Sequence, residues 1–243
     1  MKSLIPSQWQ VPQVFHERLG QRYGRARSMT QEGHLLLILY RVPSTDATER
    51  SGLLFWRGPN GEWKSTDGSG IAHLRNLVES YAALVEELEA KVDAATVAQQ
   101  FYDVLKLANP LKRAATNLHQ TLQSARESIP NDRDLIDLRD AAGDTARAAE
   151  LINDEARIGL DFETASASEE QNRLSSRLAR ASQRLNMIAA IFMPLTAITS
   201  VFGMNVPSGL EALHRPIFFW VILAFGLAWG FFLRGQVHGD ATR

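Results

Sequence analysis

The run LNMIAAIFMPLTAITSVFGMN, residues 185–205, decides the architecture of this chain. No charged residue stands between Arg184 and Glu211, and Leu185 to Met204 is apolar enough to be read as one buried helix. A second apolar run, Pro216 to Leu233, lies between Arg215 and Arg234. At the α-helical rise, twenty residues span about 30 Å, the thickness of a bilayer core. About ten residues join the two runs, so the chain is expected to cross a membrane and return as a hairpin. Gly203, Met204 and Asn205 then stand at the turn, with a polar amide at a membrane mouth.

Orientation follows from the flanking cations. Arg173, Arg177, Arg180 and Arg184 precede the first run, and Arg234 and Arg243 follow the second. The connecting loop sets Arg215 against Glu211. The positive-inside rule places both termini in the cytoplasm and the protein in the cell (inner) membrane. The N-terminus, Met1-Lys2-Ser3-Leu4-Ile5-Pro6, lacks the apolar core of a signal peptide.

The 243 residues carry a formal charge of −1, which gives no electrostatic case for nucleic acid as a partner. Mean hydropathy is −0.17, as expected when most of the chain is outside the membrane. Cysteine is absent, which excludes disulfides, thiolate metal sites and cysteine nucleophiles. Histidines 16, 34, 73, 119, 214 and 238 are scattered, none paired at i, i+4, so a transition-metal site is not expected. No nucleophile elbow, phosphate-binding loop or dinucleotide fingerprint occurs, and an enzyme is not expected.

Upstream, residues 1–68 read as a small α/β domain. His34–Val42 and Gly52–Trp56 are predicted strands, Gly58-Pro59-Asn60-Gly61 a turn, and Glu62–Thr66 a returning strand. Val14–Leu19 is read as a further strand. A sheet this small must lean on the helices that follow. Residues 69–130 form a predicted helical pair. Leu74, Leu77, Val78, Tyr81, Val85, Leu88 and Val92 set the first helix; Val97, Phe101, Val104, Leu111, Ala115, Leu118 and Leu122 set the second. Asn109-Pro110 is a potential kink, and Ser128-Ile129-Pro130-Asn131-Asp132 is a break with capping residues. From Arg133 to Phe202 the only proline is Pro194, which predicts one very long helix with room for irregularity near Gly159. Its 131–184 part is a stalk and its 185–204 part the first span. The loop 205–215, a second span 216–234 and a tail 235–243 complete the chain.

On that helix Ser182, Leu185, Ala189, Met193, Thr196 and Ser200 fall within roughly 60° of one line, opposite the arginines. Such a stripe lines a pore in a symmetric oligomer, or it is an ordinary helix-packing seam. Periodicity leaves both open. Pro194 likewise is either a simple kink or a pore feature.

The segment IFMPLTAITSVFGMN, residues 191–205, resembles the end of the first membrane helix of the CorA magnesium channels. The MPLT segment, the GMN tripeptide and a second helix after a short loop carry the resemblance, over roughly residues 133–234. It implies a homopentamer in the lipid bilayer, with five first helices around the pore and a funnel of cytoplasmic domains. Gly203, Met204 and Asn205 would be its selectivity filter. Mg²⁺ dehydrates reluctantly, so amide and backbone oxygens that hydrogen-bond its waters would select the hydrated ion. Leu185 matches a hydrophobic-gate position, and Met193 and Thr196 match pore-facing positions. Ser182 stands where a second bulky gate residue is common, and Ala179 where an asparagine is common. The outer loop has only one acid, Glu211, and the N-terminal domain is short.

The resemblance also implies a regulatory Mg²⁺ between subunits. Leu138-Arg139-Asp140 matches the motif locally, whereas a gapless alignment selects Asp144; Asp46, Glu49 and Asp67 are candidate partner acids. The fold class expected is therefore an α/β N-terminal cytoplasmic domain with a long helical stalk and two C-terminal transmembrane helices. The function expected is a passive Mg²⁺ channel, with Zn²⁺, Co²⁺ or Ni²⁺ as alternative cations. The competing readings are a ZntB-like, proton-coupled Zn²⁺ transporter and a non-conducting membrane-anchored scaffold.

Overall fold

The sheet is a four-stranded antiparallel meander in the order β1-β2-β3-β4, formed by β1 (Arg27–Gln31), β2 (His34–Tyr40), β3 (Gly52–Arg57) and β4 (Trp63–Ser65). It is preceded by α1 (Gln13–Arg18) and followed by α2 (Gly70–Asp93), α3 (Ala98–Ser128) and α4 (Arg133–Gly203). The computed structural model describes residues 4–44, 51–203 and, within the second apolar run, 217, 220, 221, 223–226, 228, 229 and 232. Two units divide the chain, Met1–Ala165 and Ser166–Arg243.

β2 is apolar from Leu35 to Leu39 because both of its faces are covered. Leu35, Leu37 and Leu39, with Leu53 and Phe55 of β3, join a core made with α2, α3 and α4. Leu36 and Ile38, with Leu54 and Trp56, join a second core with Ile5, Trp9, Phe15, Leu19 and Met29. Successive strand residues point to opposite faces, so one continuous apolar run serves two layers. The helices cover one face, as expected. The N-terminal segment covers the other.

Two sequence expectations are corrected. Val14–Leu19 lies not in a strand but largely in α1. Phe15 and Leu19 are four apart, so a helical turn buries both on one side, and the Pro12 carbonyl accepts the amide of Phe15. β1 was not expected, because its burial pattern is one methionine among half-buried polar residues. Its signal is the turn after it: Glu32 and Gly33 have φ of 51° and 78°, and Gln31 pairs with His34. Both central residues at positive φ make the two-residue turn that matches strand twist.

The three helices follow the predicted periodicities. α3 runs through Pro110 and α4 through Gly159 and Pro194 without interruption. Asn153 donates to Asn109 at 2.9 Å, pairing two amides beside Pro110. Lys112 meets Glu150 at 3.0 Å and Asp154 at 3.5 Å. The hydrogen bond to Glu150 holds its ammonium above the usual lysine range.

α4 starts at a built cap. Asp132 accepts the amide of Leu135 at 3.1 Å and the Arg57 guanidinium at 2.6 Å. Arg57 closes β3, so sheet and long helix share one half-buried ion pair.

Gly70 opens α2 at a φ of 51°, where an added Cβ would lie 2.3 Å from the Trp63 carbonyl oxygen. Left-handed strain and a clash against backbone combine there. Gly70→Ala is expected to cost about 2–4 kcal/mol, read as an earlier tryptophan-fluorescence melt of the full chain. A melt within a degree of wild type would refute it.

Candidate functional site

α4 carries the predicted stripe in the second unit. Ser182, Leu185, Ala189, Met193, Thr196 and Ser200 are all exposed, Leu185 by 68% and Met193 by 75%. Met187, Ile191, Pro194, Leu195 and Ile198, on the opposite side, are half-buried. The contact there is identified by Gly226 of the second apolar run: a Cβ on it would meet Leu195 Cδ1 at 3.1 Å and Ile198 Cδ1 at 3.7 Å. Glycine permits this close helix approach. The seam between the two apolar runs thus uses the other face of α4, and the stripe has no packing role within the described residues of this unit.

The stripe is apolar with spaced hydroxyls. Thr196 Oγ1 donates to the Phe192 carbonyl at 2.8 Å, and Thr199 Oγ1 donates to Leu195 at 3.0 Å. Thr196, on the stripe, and Thr199, about 100° away from it, are thus satisfied within the helix, and each oxygen keeps a lone pair for an outside donor. Pro194 offers no N–H to the Ala190 carbonyl a turn earlier. Asn186, not singled out from sequence, is also exposed and lies about 40° from the line through Ser182. Its angular position was the available signal. The arginines at 173, 177, 180 and 184 are exposed, and Arg173 meets Glu169 at 2.5 Å.

α4 is described as far as Gly203, and Met204 and Asn205 lie outside the described residues. Among the described residues no helix is long and apolar enough to cross a membrane. The spans expected over 185–204 and 216–234 are therefore not displayed as such, and both runs extend into residues outside the described set.

The regulatory candidates that are described each pair with an arginine. Asp140 pairs with Arg139 at 3.0 Å, and Asp144 pairs with Arg147. Asp67 is held by Arg41 at 2.7 Å, and Asp46 and Glu49 lie outside the described residues. No group of three metal-ligating side chains forms among the described residues.

Solved structures share this fold. The full-length CmaX protein matches at a TM-score of 0.60 and 16% identity, over 96% of this chain and 83% of that one. The ZntB cytoplasmic domain from Vibrio parahaemolyticus matches at 0.54 and 12%, over 66% of this chain and 80% of its own. The CorA magnesium transporter from Methanocaldococcus jannaschii gives 0.40 and 15%, over 92% and 82%, too loose a likeness to bear on the fold. No curated protein matches the sequence. The family profile described as CorA-like Mg²⁺ transporter protein matches residues 69–234, well over half of the chain and including both apolar runs and the GMN tripeptide. The chain belongs to the CorA-like Mg²⁺ transporter family.

Proposed function

We propose that this protein is a homopentameric channel that passes hydrated Mg²⁺ down its electrochemical gradient through the cell membrane. The observation that carries the reading is the exposed stripe Leu185, Ala189, Met193, Thr196 and Ser200, which leads to Gly203 while the opposite face packs on Gly226. In a ring of copies that free face lines the axis. Residues 185–204 and 216–234 span the bilayer, and both termini are cytoplasmic. Gly203 and Asn205 form the ring at the outer mouth; Met204 packs, since a thioether is a poor Mg²⁺ ligand.

Ions pass hydrated, because Mg²⁺ gives up water reluctantly and an amide oxygen can accept a hydrogen bond from that water. Ser182 in place of a bulky apolar residue leaves Leu185 as the main dewetting constriction. A regulatory cation at Asp140 or Asp144 would require carboxylates from a second copy.

The test is uptake into proteoliposomes under an inside-negative potential. Mg²⁺ entry is expected to rise with the potential and to be unchanged by a transmembrane pH gradient. Zn²⁺ entry driven by the pH gradient would favour the carrier. No entry of either ion, from an intact oligomer, would leave the scaffold.

A further inference from the structure

Residues 16–27, HERLGQRYGRAR, hold four arginines and one glutamate in a chain of net charge −1. Arg18, Arg22 and Arg25 are exposed, and no carboxylate among the described residues forms an ion pair with them. The loop that presents them is built. Arg27 Nη1 donates to the carbonyls of Tyr23 at 3.1 Å and Arg25 at 3.2 Å, and the Tyr40 hydroxyl donates to that of Gly24. The Tyr23 ring lies where a Cβ on Gly52 would stand. Three successive carbonyls are thus occupied, and the guanidinium groups of Arg18, Arg22 and Arg25 are left to solvent.

The complementary surface is on α2. Glu79, Glu86, Glu89 and Asp93 are exposed and fall within about 60° of one line on that helix. None of the four has an ion pair among the described residues; nearby, Lys91 pairs with Glu87 and Arg75 with Asp134. Ala82, Ala83 and Ala90 lie between the acids and keep the face low enough for a guanidinium fork. The two surfaces cannot meet in one chain. α2 packs on the sheet face of Leu35, Leu37 and Phe55, whereas Leu19 and Tyr23 pack on the face of Leu36, Ile38 and Trp56. The sheet stands between them.

We infer that the arginine loop of one copy docks on the acidic face of α2 of a second copy. Unlike patches on opposite sides of one unit make a head-to-tail contact, whose repetition gives a ring where the rotation between copies closes and an open chain where it does not. His16 and Glu17 are the other titratable groups on the loop's own segment. The inference goes beyond the transport reading: it concerns assembly and holds or fails whether or not the assembly conducts.

The chain has no native cysteine, so introduced pairs report cleanly. Full-length protein in detergent carrying Arg22→Cys and Glu86→Cys is treated with a short bismaleimide and run on a denaturing gel. A covalent ladder beyond dimer is expected. In that background Arg18→Glu with Arg25→Glu should cut the ladder about tenfold, and adding Glu79→Arg with Glu89→Arg should restore it. The tryptophan-fluorescence melt of each variant, unchanged, shows that the unit is folded. No ladder, a ladder ending at dimer, or a ladder indifferent to charge reversal overturns the inference. So does charge reversal that abolishes binding to anionic lipid vesicles while the ladder persists, since the loop is then a lipid contact.

Discussion

Asn205→Ala is expected to abolish Mg²⁺ uptake while leaving the oligomer intact. The proposed filter sets one amide per copy against the water shell of the ion. Each hydrogen bond to that shell is worth about 0.5–1.5 kcal/mol, so five lost together cost roughly 2.5–7.5 kcal/mol at the narrowest point. That is a loss on the order of a hundredfold or more in rate. Alanine adds no bulk, so the loss cannot be blamed on a blocked mouth. The check compares initial rates of Mg²⁺ entry into proteoliposomes for wild type and variant, with oligomer mass measured by light scattering. Equal rates would remove Asn205 from the filter. Equal rates in both would also turn attention to the amide of Asn186, on the exposed face of α4 at the start of the first apolar run.

The second large effect is on stability. Asp132→Ala is expected to destabilise the first unit by about 3–5 kcal/mol, the cost of leaving a half-buried guanidinium without its partner. The aspartate side chain is 9% exposed and that of Arg57 15%, so water compensates little. Part of the cost is the helix cap, since Asp132 Oδ1 also holds the amide of Leu135. Trp9, Trp56 and Trp63 lie in or beside the sheet and report its unfolding. A fall in midpoint on the order of 10 °C follows from the energy. Replacing both partners, Arg57→Met with Asp132→Leu, should cost much less than Asp132→Ala, because no charge is then stranded. A single variant within about 1 kcal/mol of wild type would show that the pair is not what anchors α4 to the sheet.

The elements most legible in the sequence are those whose burial is strongly patterned. β2 reads as a strand because both faces are covered, which makes all of Leu35–Leu39 apolar. α2 and α3 read as helices because one face of each is buried, giving repeats of three and four. β1 escaped because an edge strand of mostly half-buried residues carries little hydrophobic signal, and its one clear mark is a Glu-Gly turn. α1 was misread because six residues hold too few periods to separate a helix from a strand.

For the candidate site the division is similar. Local pattern was enough for the stripe of Leu185, Ala189, Met193, Thr196 and Ser200, because angular position on a helix depends only on residue spacing. It was also enough for the family, to which the tripeptide at 203–205 pointed. Spacing could not say which side of α4 the second apolar run packs on; Gly226 meets Leu195 and Ile198, opposite the stripe. Nor could it show that Arg57 and Asp132, 75 positions apart, close on one another. Periodicity is local and survives in the linear chain. Pairing across the sheet and between helices depends on which surfaces the folded backbone brings together, and no local pattern encodes that choice.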